Sequence, residues 1–354
     1  MVNPPLGFVV NANNDPVGNT LDNDPLNQLR PRGEIFYLNY TYDFGFRAGR
    51  LTELIREALA SGDRKISLDE ARRFQGDVMQ LEGRRFVPHI LAAYEAAKAA
   101  DAPPELAQLA QDPRIQEAIK FLRSWSFNTP TGLPRGFDYN DTATGFDVPT
   151  EKEIQDSIAT TIFNVWASRF VRDTIDATLE AISSQLPKPG TQFAVKALLH
   201  LLDNFAQNQG IGKSGLNFFP LAAEGLTPEQ NHDLLILRSL KEALDLLAGD
   251  PFAPAFNRLT NLQDYRWGKL HRVTFKHVLS GPFNIPPAAE FEEYPNGIPT
   301  DGRARRRRRL ELRPRLRCER LHLRRRPGTA DGGRGDAPRP AGLGGDPRRG
   351  ERPP

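Results

Sequence analysis

Few of the side chains that usually perform catalysis occur here in a recognisable pattern. Histidine is the usual general base near neutral pH, but the six histidines of this 354-residue sequence are scattered without the spacing of metal ligands. Cys318 is the only cysteine, so residues 1–302 hold no disulfide and no cysteine metal site. Residues 210–215 superficially resemble a phosphate-binding loop, but their first glycine is wrongly spaced and no predicted strand precedes them. These residue types therefore indicate no particular chemistry.

Amide side chains cluster near the start of the sequence. Residues 3–18 read Asn-Pro-Pro-Leu-Gly-Phe-Val-Val-Asn-Ala-Asn-Asn-Asp-Pro-Val-Gly. The part that is rich in valine and phenylalanine, residues 6–11, predicts one strand. The Asn-Asn-Asp-Pro that follows is typical of a turn, because asparagine and aspartate side chains bond to nearby backbone groups. Taken alone, Asn13 and Asn14 are predicted to be turn-forming residues.

The elements that must position these side chains are predicted to be mainly helices. From Gly45 the apolar residues recur with helical spacing, and Gly62 ends that helix. Residues 67–70, Ser-Leu-Asp-Glu, form a capping box that predicts a long helix through about residue 100, bent at Pro88. Further helices are predicted at about 104–111, 114–125, 151–185, 191–207 and 228–248.

The remaining segments of the body are predicted to be loops and a few strands. Residues 126–149 and 208–226 are rich in glycine, proline, asparagine and aspartate, which is typical of loops. Residues 267–275 predict an extended segment with His271, Val273 and Phe275 on one side. The body, residues 1–302, is therefore assigned to the α+β class, mostly helical, and it could not complete a sheet core alone.

Charge separates this body from residues 303–354. The latter contain 18 arginines, no lysine and six acidic residues, a net charge of +12, which leaves −9 for the body. Large apolar residues almost vanish after Leu323, and no helical or strand period is present, so we predict that this tail is disordered. Its Arg, Gly, Pro and Ala composition is what a shifted reading frame of a G+C-rich gene produces, and we interpret it so. An Arg-rich nucleic-acid-binding arm and a plain disordered tail are the alternatives, although no aromatic is interleaved for base stacking.

Four segments in order resemble the penicillin acylase family of N-terminal nucleophile hydrolases. Residues 3–18 are similar to the family's oxyanion-hole strand, and residues 42–54 to the segment that follows it, where an arginine begins a helix. Residues 67–88 resemble the next family helix. Residues 267–275 resemble the WGxxHR stretch that many bacterial members carry late in the catalytic subunit. Order and approximate spacing agree across about residues 3–300.

The resemblance implies roles for three residues. Asn13 matches the side-chain donor of the oxyanion hole, and Asn14 is the neighbouring alternative. Arg50 matches the arginine that holds this asparagine and the nucleophile's amine; otherwise it would be an exposed first-turn arginine facing the helix dipole unfavourably. The stretch between Asn13 and Arg50 is longer than the family minimum, so the alignment of Arg50 with the family arginine could be displaced. Because the family's base is the nucleophile's own amine, His271 is predicted to be structural.

The resemblance also implies what the chain would lack. The family nucleophile is an N-terminal serine upstream of the oxyanion strand, and no such residue precedes Asn3. We therefore expect a C-terminal portion of an αββα catalytic domain that is inactive alone and needs the missing upstream part of the same enzyme. No cofactor is required. Some family members bind structural calcium, for which Asp22 and Asp24 are weak candidates, since solvated loop acids are the simpler interpretation.

The implied reaction is hydrolysis of an acyl amide, such as a β-lactam side chain or an N-acyl homoserine lactone, through an acyl-enzyme on serine. The alternative is a non-enzymatic helical protein whose Arg-rich tail binds nucleic acid. The family is usually exported, which predicts a periplasmic or extracellular location. As written, the sequence has neither a signal peptide nor an 18-residue apolar run. If the chain is expressed as written, we therefore predict that it is cytoplasmic and does not bind a membrane.

Overall fold

Helices dominate the part of the chain that the computed structural model describes. The described residues are 7–14, 29–34, 42–60, 65–141, 147–186, 188–279, 281–286 and 297–302. All of them belong to one unit, Met1–Leu316, and the second unit, Arg317–Pro354, lies outside the described residues. The predictions for Asp22, Asp24 and residues 303–354 also fall outside them. The boundary between body and tail stays a prediction.

The described secondary structure is mostly α-helical with one two-stranded sheet, in agreement with the predicted α+β class. Antiparallel strands β1 (Arg272–Val273) and β2 (Ile298–Pro299) form the sheet. No helix in the described ranges is long and apolar enough to span a membrane. The helices are α1 (Phe46–Ala60), α2 (Leu68–Gln75), α3 (Leu81–Ala97), α4 (Pro104–Gln111), α5 (Pro113–Ser124), α6 (Glu151–Val171), α7 (Ala177–Ile182), α8 (Thr191–Asp203), α9 (Phe205–Asn208), α10 (Pro228–Leu247) and α11 (Ala253–Phe256).

Three helices, α2, α6 and α10, begin with a capping box. Ser67, Thr150 and Thr227 each accept a hydrogen bond from the backbone three residues on, whose side chain bonds back to the cap. Such boxes satisfy two backbone donors that a helix start leaves unpaired. The predicted starts at Ser67 and Thr227 are confirmed. A π-helical segment, Arg172–Asp176, joins α6 to α7.

The predicted long helix over residues 67–100, bent at Pro88, is wrong. The chain instead forms α2 and α3 with a break at residues 76–80, and Pro88 lies inside α3. At the break, Gly76 caps α2 by donating to the carbonyls of Arg72 and Phe74. The backbone N–H of Gln80 then donates to Phe127 O at 2.7 Å, so a tertiary contact replaces the helical bond.

The predicted strand over residues 6–11 is not formed in its described part, residues 7–11. The backbone pairing next to it is a single parallel bridge between Asn14 and Asp43. A strand needs a partner along its length, and the described residues supply one at a single position.

The core centres on α6, which packs against α5 and α10. The rings of Phe163, Trp166 and Phe170 are buried on α6, and Trp166 stacks on Phe170 with centroids 5.1 Å apart. The Trp166 indole donates to Ile236 O on α10 at 3.1 Å, so the polar atom of this buried ring is satisfied.

A polar stripe on α6 binds the loop that precedes it. The stripe comprises Asp156, Ser157, Thr160 and Asn164, all at most 3% exposed. Three of its members bind the loop: Asp156 accepts from Ser126 N at 3.1 Å, Ser157 donates to Thr131 O at 2.8 Å, and Thr160 donates to Asn128 O at 3.3 Å. Asn164 instead exchanges two 3.1 Å bonds with the buried amide of Gln80, at the break between α2 and α3.

Candidate functional site

Asn13 lies in a turn that fixes its backbone. Its φ is +63°, the left-handed conformation that asparagine tolerates better than most residues. Its backbone N–H donates to Asn11 Oδ1 at 3.1 Å, and its carbonyl accepts from Asp43 N at 2.7 Å. The side chain is exposed. The turn predicted from the sequence is therefore formed, and it presents the Asn13 amide at the surface of the chain.

A guanidinium from α1 holds that amide by its oxygen. Arg47 Nη2 donates to Asn13 Oδ1 at 2.9 Å and to Ala12 O at 2.7 Å. The same nitrogen lies 3.1 Å from Asp43 Oδ2, which forms an ion pair with it. Asp43 is only 6% exposed, and its other oxygen accepts from Gly45 N at 3.2 Å. Asp43 and Arg47 thus connect the start of α1 to the Asn13 turn.

The charge on Arg47 decides which way the Asn13 amide faces. A guanidinium has donors only, so it pairs with the amide oxygen and disfavours the flipped orientation, in which two donors would meet. Nδ2 therefore faces away from Arg47. Among the described residues none accepts a hydrogen bond from it. The geometry leaves one fixed, exposed amide donor.

Asn14 is engaged differently. Its Oδ1 accepts from Ala12 N at 3.0 Å, which is a bond within the turn itself. Its backbone forms the parallel bridge with Asp43. Asn14 therefore contributes to the shape of the turn, whereas Asn13 is the asparagine whose side-chain oxygen is bound by a cation.

Arg50 does not make the contact with Asn13 that the sequence predicts, because its guanidinium is bound elsewhere. Its Nε and Nη2 donate to Asp77 at 3.1 and 2.7 Å, and its Nη1 donates to Glu53 at 3.3 Å. The Asp77 hydrogen bond raises the pKa of Arg50 above its ordinary value. The side chain is 16% exposed, so it is not an exposed first-turn arginine either. Arg50 joins α1 to the break between α2 and α3, and its catalytic role remains a prediction.

Sequence reasoning missed Asp43 and Arg47. Their i, i+4 spacing across the start of α1 is the spacing at which opposite charges meet on a helix, and this signal could have identified the pair. The arginine whose guanidinium reaches the Asn13 turn is Arg47, three residues before Arg50. This agrees with the unusual length of the stretch between Asn13 and Arg50.

His271 is a packed and hydrogen-bonded residue. Its Nδ1 donates to Thr300 O at 2.8 Å, and its ring stacks on Trp267 with centroids 5.4 Å apart and planes 8° apart. The Trp267 indole donates to Gly302 O at 3.0 Å. The WGxxHR stretch therefore binds residues 297–302, named here the strap.

The described residues define no metal site, and two surface depressions that they form lie away from Asn13. In the described ranges no group of three or more His, Cys, Asp or Glu side chains could hold a metal ion. These two open depressions of the surface are lined by residues of α4, α5, α6 and α10 and of the turn at Gln263, and neither Asn13 nor Arg47 lines them.

Comparison with known proteins gives one family match. Residues 1–314 match the family model described as Penicillin amidase, which covers the whole described part of the chain. A search of curated proteins finds no match to this sequence.

Proposed function

Because the chain belongs to the penicillin amidase family, a family of amide-bond hydrolases, we propose that Asn13 is an oxyanion donor in the hydrolysis of linear acyl amides. The substrate class is an amide with an acyl side chain, such as a β-lactam side chain or an N-acyl homoserine lactone. No cofactor takes part, and a structural calcium and a periplasmic or extracellular location are further proposals from the family.

The observation that carries the proposal is the fixed Asn13 amide. Attack on an amide carbonyl builds negative charge on its oxygen, and donors that are oriented beforehand stabilise that charge at no cost of reorganisation. Arg47 holds Asn13 Oδ1 at 2.9 Å, which directs Nδ2 outward. A turn-forming asparagine needs no such cation. The arrangement therefore supports a donor role for Asn13 beyond its role in the turn.

The proposal assigns the nucleophile to an upstream segment of the same enzyme. In the family the nucleophilic serine precedes the oxyanion strand, and the first serine of this sequence is Ser61, which follows it. The attacking hydroxyl would be activated by its own α-amine. We therefore expect residues 1–354 alone to show no turnover of a chromogenic phenylacetyl amide. Turnover that Asn13→Ala abolishes would mean that the nucleophile lies within this chain.

The decisive experiment joins the Ser-led upstream segment of the gene to residues 1–302 and measures kcat and KM for chromogenic acyl amides. Asn13→Ala should lower kcat by about 10²–10³, roughly 3–4 kcal/mol, with a much smaller change in KM. Asn14→Ala is the matched control and should leave kcat within a few-fold. An inactive joined enzyme, or equal losses at both asparagines, would overturn the assignment of Asn13.

A further inference from the structure

The strap, residues 297–302, is held between two other segments by its backbone. Three consecutive N–H groups, those of residues 300–302, donate to carbonyls on both sides. Their acceptors are His271 O at 3.2 Å, Phe137 O at 3.0 Å and Thr129 O at 3.1 Å. The strap therefore bridges the WGxxHR stretch and the loop of residues 126–141, which in turn rests on the polar stripe of α6.

One carboxyl group of the strap faces like charges in that loop. Asp301 Oδ2 accepts a 2.7 Å bond from Tyr139 N. The negative charges that act on Asp301 are those of Asp138 and Asp141. The backbone N–H of Asp138 donates to Asp141 Oδ2 at 2.8 Å, and the charge of Asp141 also acts on the Asp138 carboxyl group. The contact between strap and loop thus places Asp301 where the charges of two other carboxyl groups act on it.

Among the described residues, several other charged groups near this contact bind partners other than Asp301. On α6, Glu153 acts on Asp138 rather than on Asp301 and binds Asn140 at 3.0 Å. On the WGxxHR stretch, Lys269 lies over the ring of Phe256, and Arg272 donates to Gly268 O at 3.2 Å. The His271 ring binds the strap carbonyl through Nδ1–H, a donor that the neutral and the protonated ring both have.

Burial is the main effect on Asp301. It raises the pKa of this carboxyl from its ordinary 3.8 to about 6; the charges of Asp138 and Asp141 act in the same direction, and the Tyr139 hydrogen bond opposes them. Burial also raises the pKa of Asp138. A carboxyl whose pKa is raised on folding stabilises the fold below its unfolded pKa, near 4, and this stabilisation is lost as pH rises through about 6.

We propose that Asp301 makes the strap a pH-dependent clasp. The strap binds the loop most firmly while this carboxyl is protonated, and it loosens when ionisation places a third negative charge beside Asp138 and Asp141. A protonated Asp301 keeps one oxygen to accept from Tyr139 N and no longer repels the other two carboxylates. The attachment of the strap to the WGxxHR stretch therefore weakens as the pH rises.

The test measures amide hydrogen exchange of residues 300–302 in the full chain between pH 4.5 and 8, with each rate corrected for the intrinsic pH dependence of exchange. Because the pKa of about 6 lies about 2 above the ordinary value, ionisation can raise the opening equilibrium constant of the strap by up to about 10²-fold. Asp301→Asn should remove this pH dependence and keep exchange slow throughout. Asp69→Asn, at an exposed carboxyl on α2, is the matched control and should behave as the wild type.

A second variant keeps the test decisive if Asp301→Asn does not fold. Asp141→Asn removes one of the negative charges that raise the pKa of Asp301 in the closed strap. The rise in strap opening should therefore be smaller than in the wild type and should be complete at a lower pH. Exchange at residues 300–302 that is flat in the wild type, or a pH dependence that survives in folded Asp301→Asn, would overturn the clasp. So would a rise in opening in Asp141→Asn that is as large as in the wild type.

Discussion

Replacing Arg47 by glutamine should have a different consequence from replacing Arg50 by glutamine, although the two arginines lie only three residues apart on α1. Arg50 binds Asp77 and Glu53 inside the chain, whereas Arg47 binds the Asn13 amide at its surface. We expect Arg50→Gln to lower the stability of the chain and Arg47→Gln to lower the rate of the proposed reaction.

The stability loss follows from burial. Arg50 and Asp77 are each 16% exposed, and two guanidinium nitrogens bind the carboxylate. Breaking a fully buried pair costs about 3–5 kcal/mol and a surface pair about 0–1 kcal/mol. A pair exposed to this small extent should cost about 2–3 kcal/mol, which lowers Tm by roughly 3–5 °C in a unit of this size. Arg47 is 47% exposed, so its loss should cost less than about 1 kcal/mol.

The rate loss follows from the orientation of the Asn13 amide. A hydrogen bond to a charged group contributes about 1.5–3 kcal/mol, and here it selects the orientation in which Nδ2 faces outward. Losing it should lower kcat by about 10- to 10²-fold, less than the loss in Asn13→Ala, because an amide that reorients still spends part of its time in the productive position.

Two measurements separate the variants: urea unfolding of the chain followed by circular dichroism, and kcat of the joined enzyme. Arg72→Gln, at a 70% exposed position on α2, is the control and should change neither. The reasoning is refuted if Arg47→Gln retains kcat within about threefold while Arg50→Gln loses it at unchanged stability. That outcome would return the positioning role to Arg50, as the sequence predicts.

Two further predictions concern the fold. Ending the chain after Gly302 should leave the helical circular dichroism and Tm unchanged, because the sequence interpretation assigns no folding role to residues 303–354; a clear loss of either would contradict it. Asn164→Leu should destabilise the chain by about 2–3 kcal/mol, since it leaves the buried Gln80 amide without its reciprocal partner. Adding Gln80→Leu should recover part of that loss in urea unfolding, and strict additivity of the two costs would show that the amides are not coupled.

Most of the helical framework could be predicted from the sequence because its signals are local. The caps at Ser67 and Thr227 and the helical spacing of apolar residues act within one or two turns, and the helices begin where they indicate. The break at residues 76–80 was missed because its cause is not local. Gln80 N bonds to Phe127 O, 47 positions away, and no pattern within residues 67–100 shows that contact.

The turn at Asn13 could be predicted from the sequence, whereas the contact of Arg47 with that turn could not. The turn at Asn13 has a compositional signal, and the family resemblance selects the residue. Which arginine of α1 reaches the turn depends on how the helix is rotated relative to the turn. Asp43 fixes that rotation, because its N–H donates to Asn13 O and its carboxylate binds Arg47. Three residues along α1 therefore separate the arginine that binds the Asn13 turn from the arginine that binds Asp77.

The polar stripe of α6 limits how this part of the chain can change. An apolar face accepts many combinations of side chains of similar total volume, so a loop packed on it can shift by a residue and pack again. Here Ser157 donates to Thr131 O and also accepts from Trp267 N at 2.7 Å. One hydroxyl thus ties the loop and the WGxxHR stretch to the same helical position. An insertion or deletion in either segment would have to leave both bonds in place, so changes of length are confined to the residues that lie beyond them.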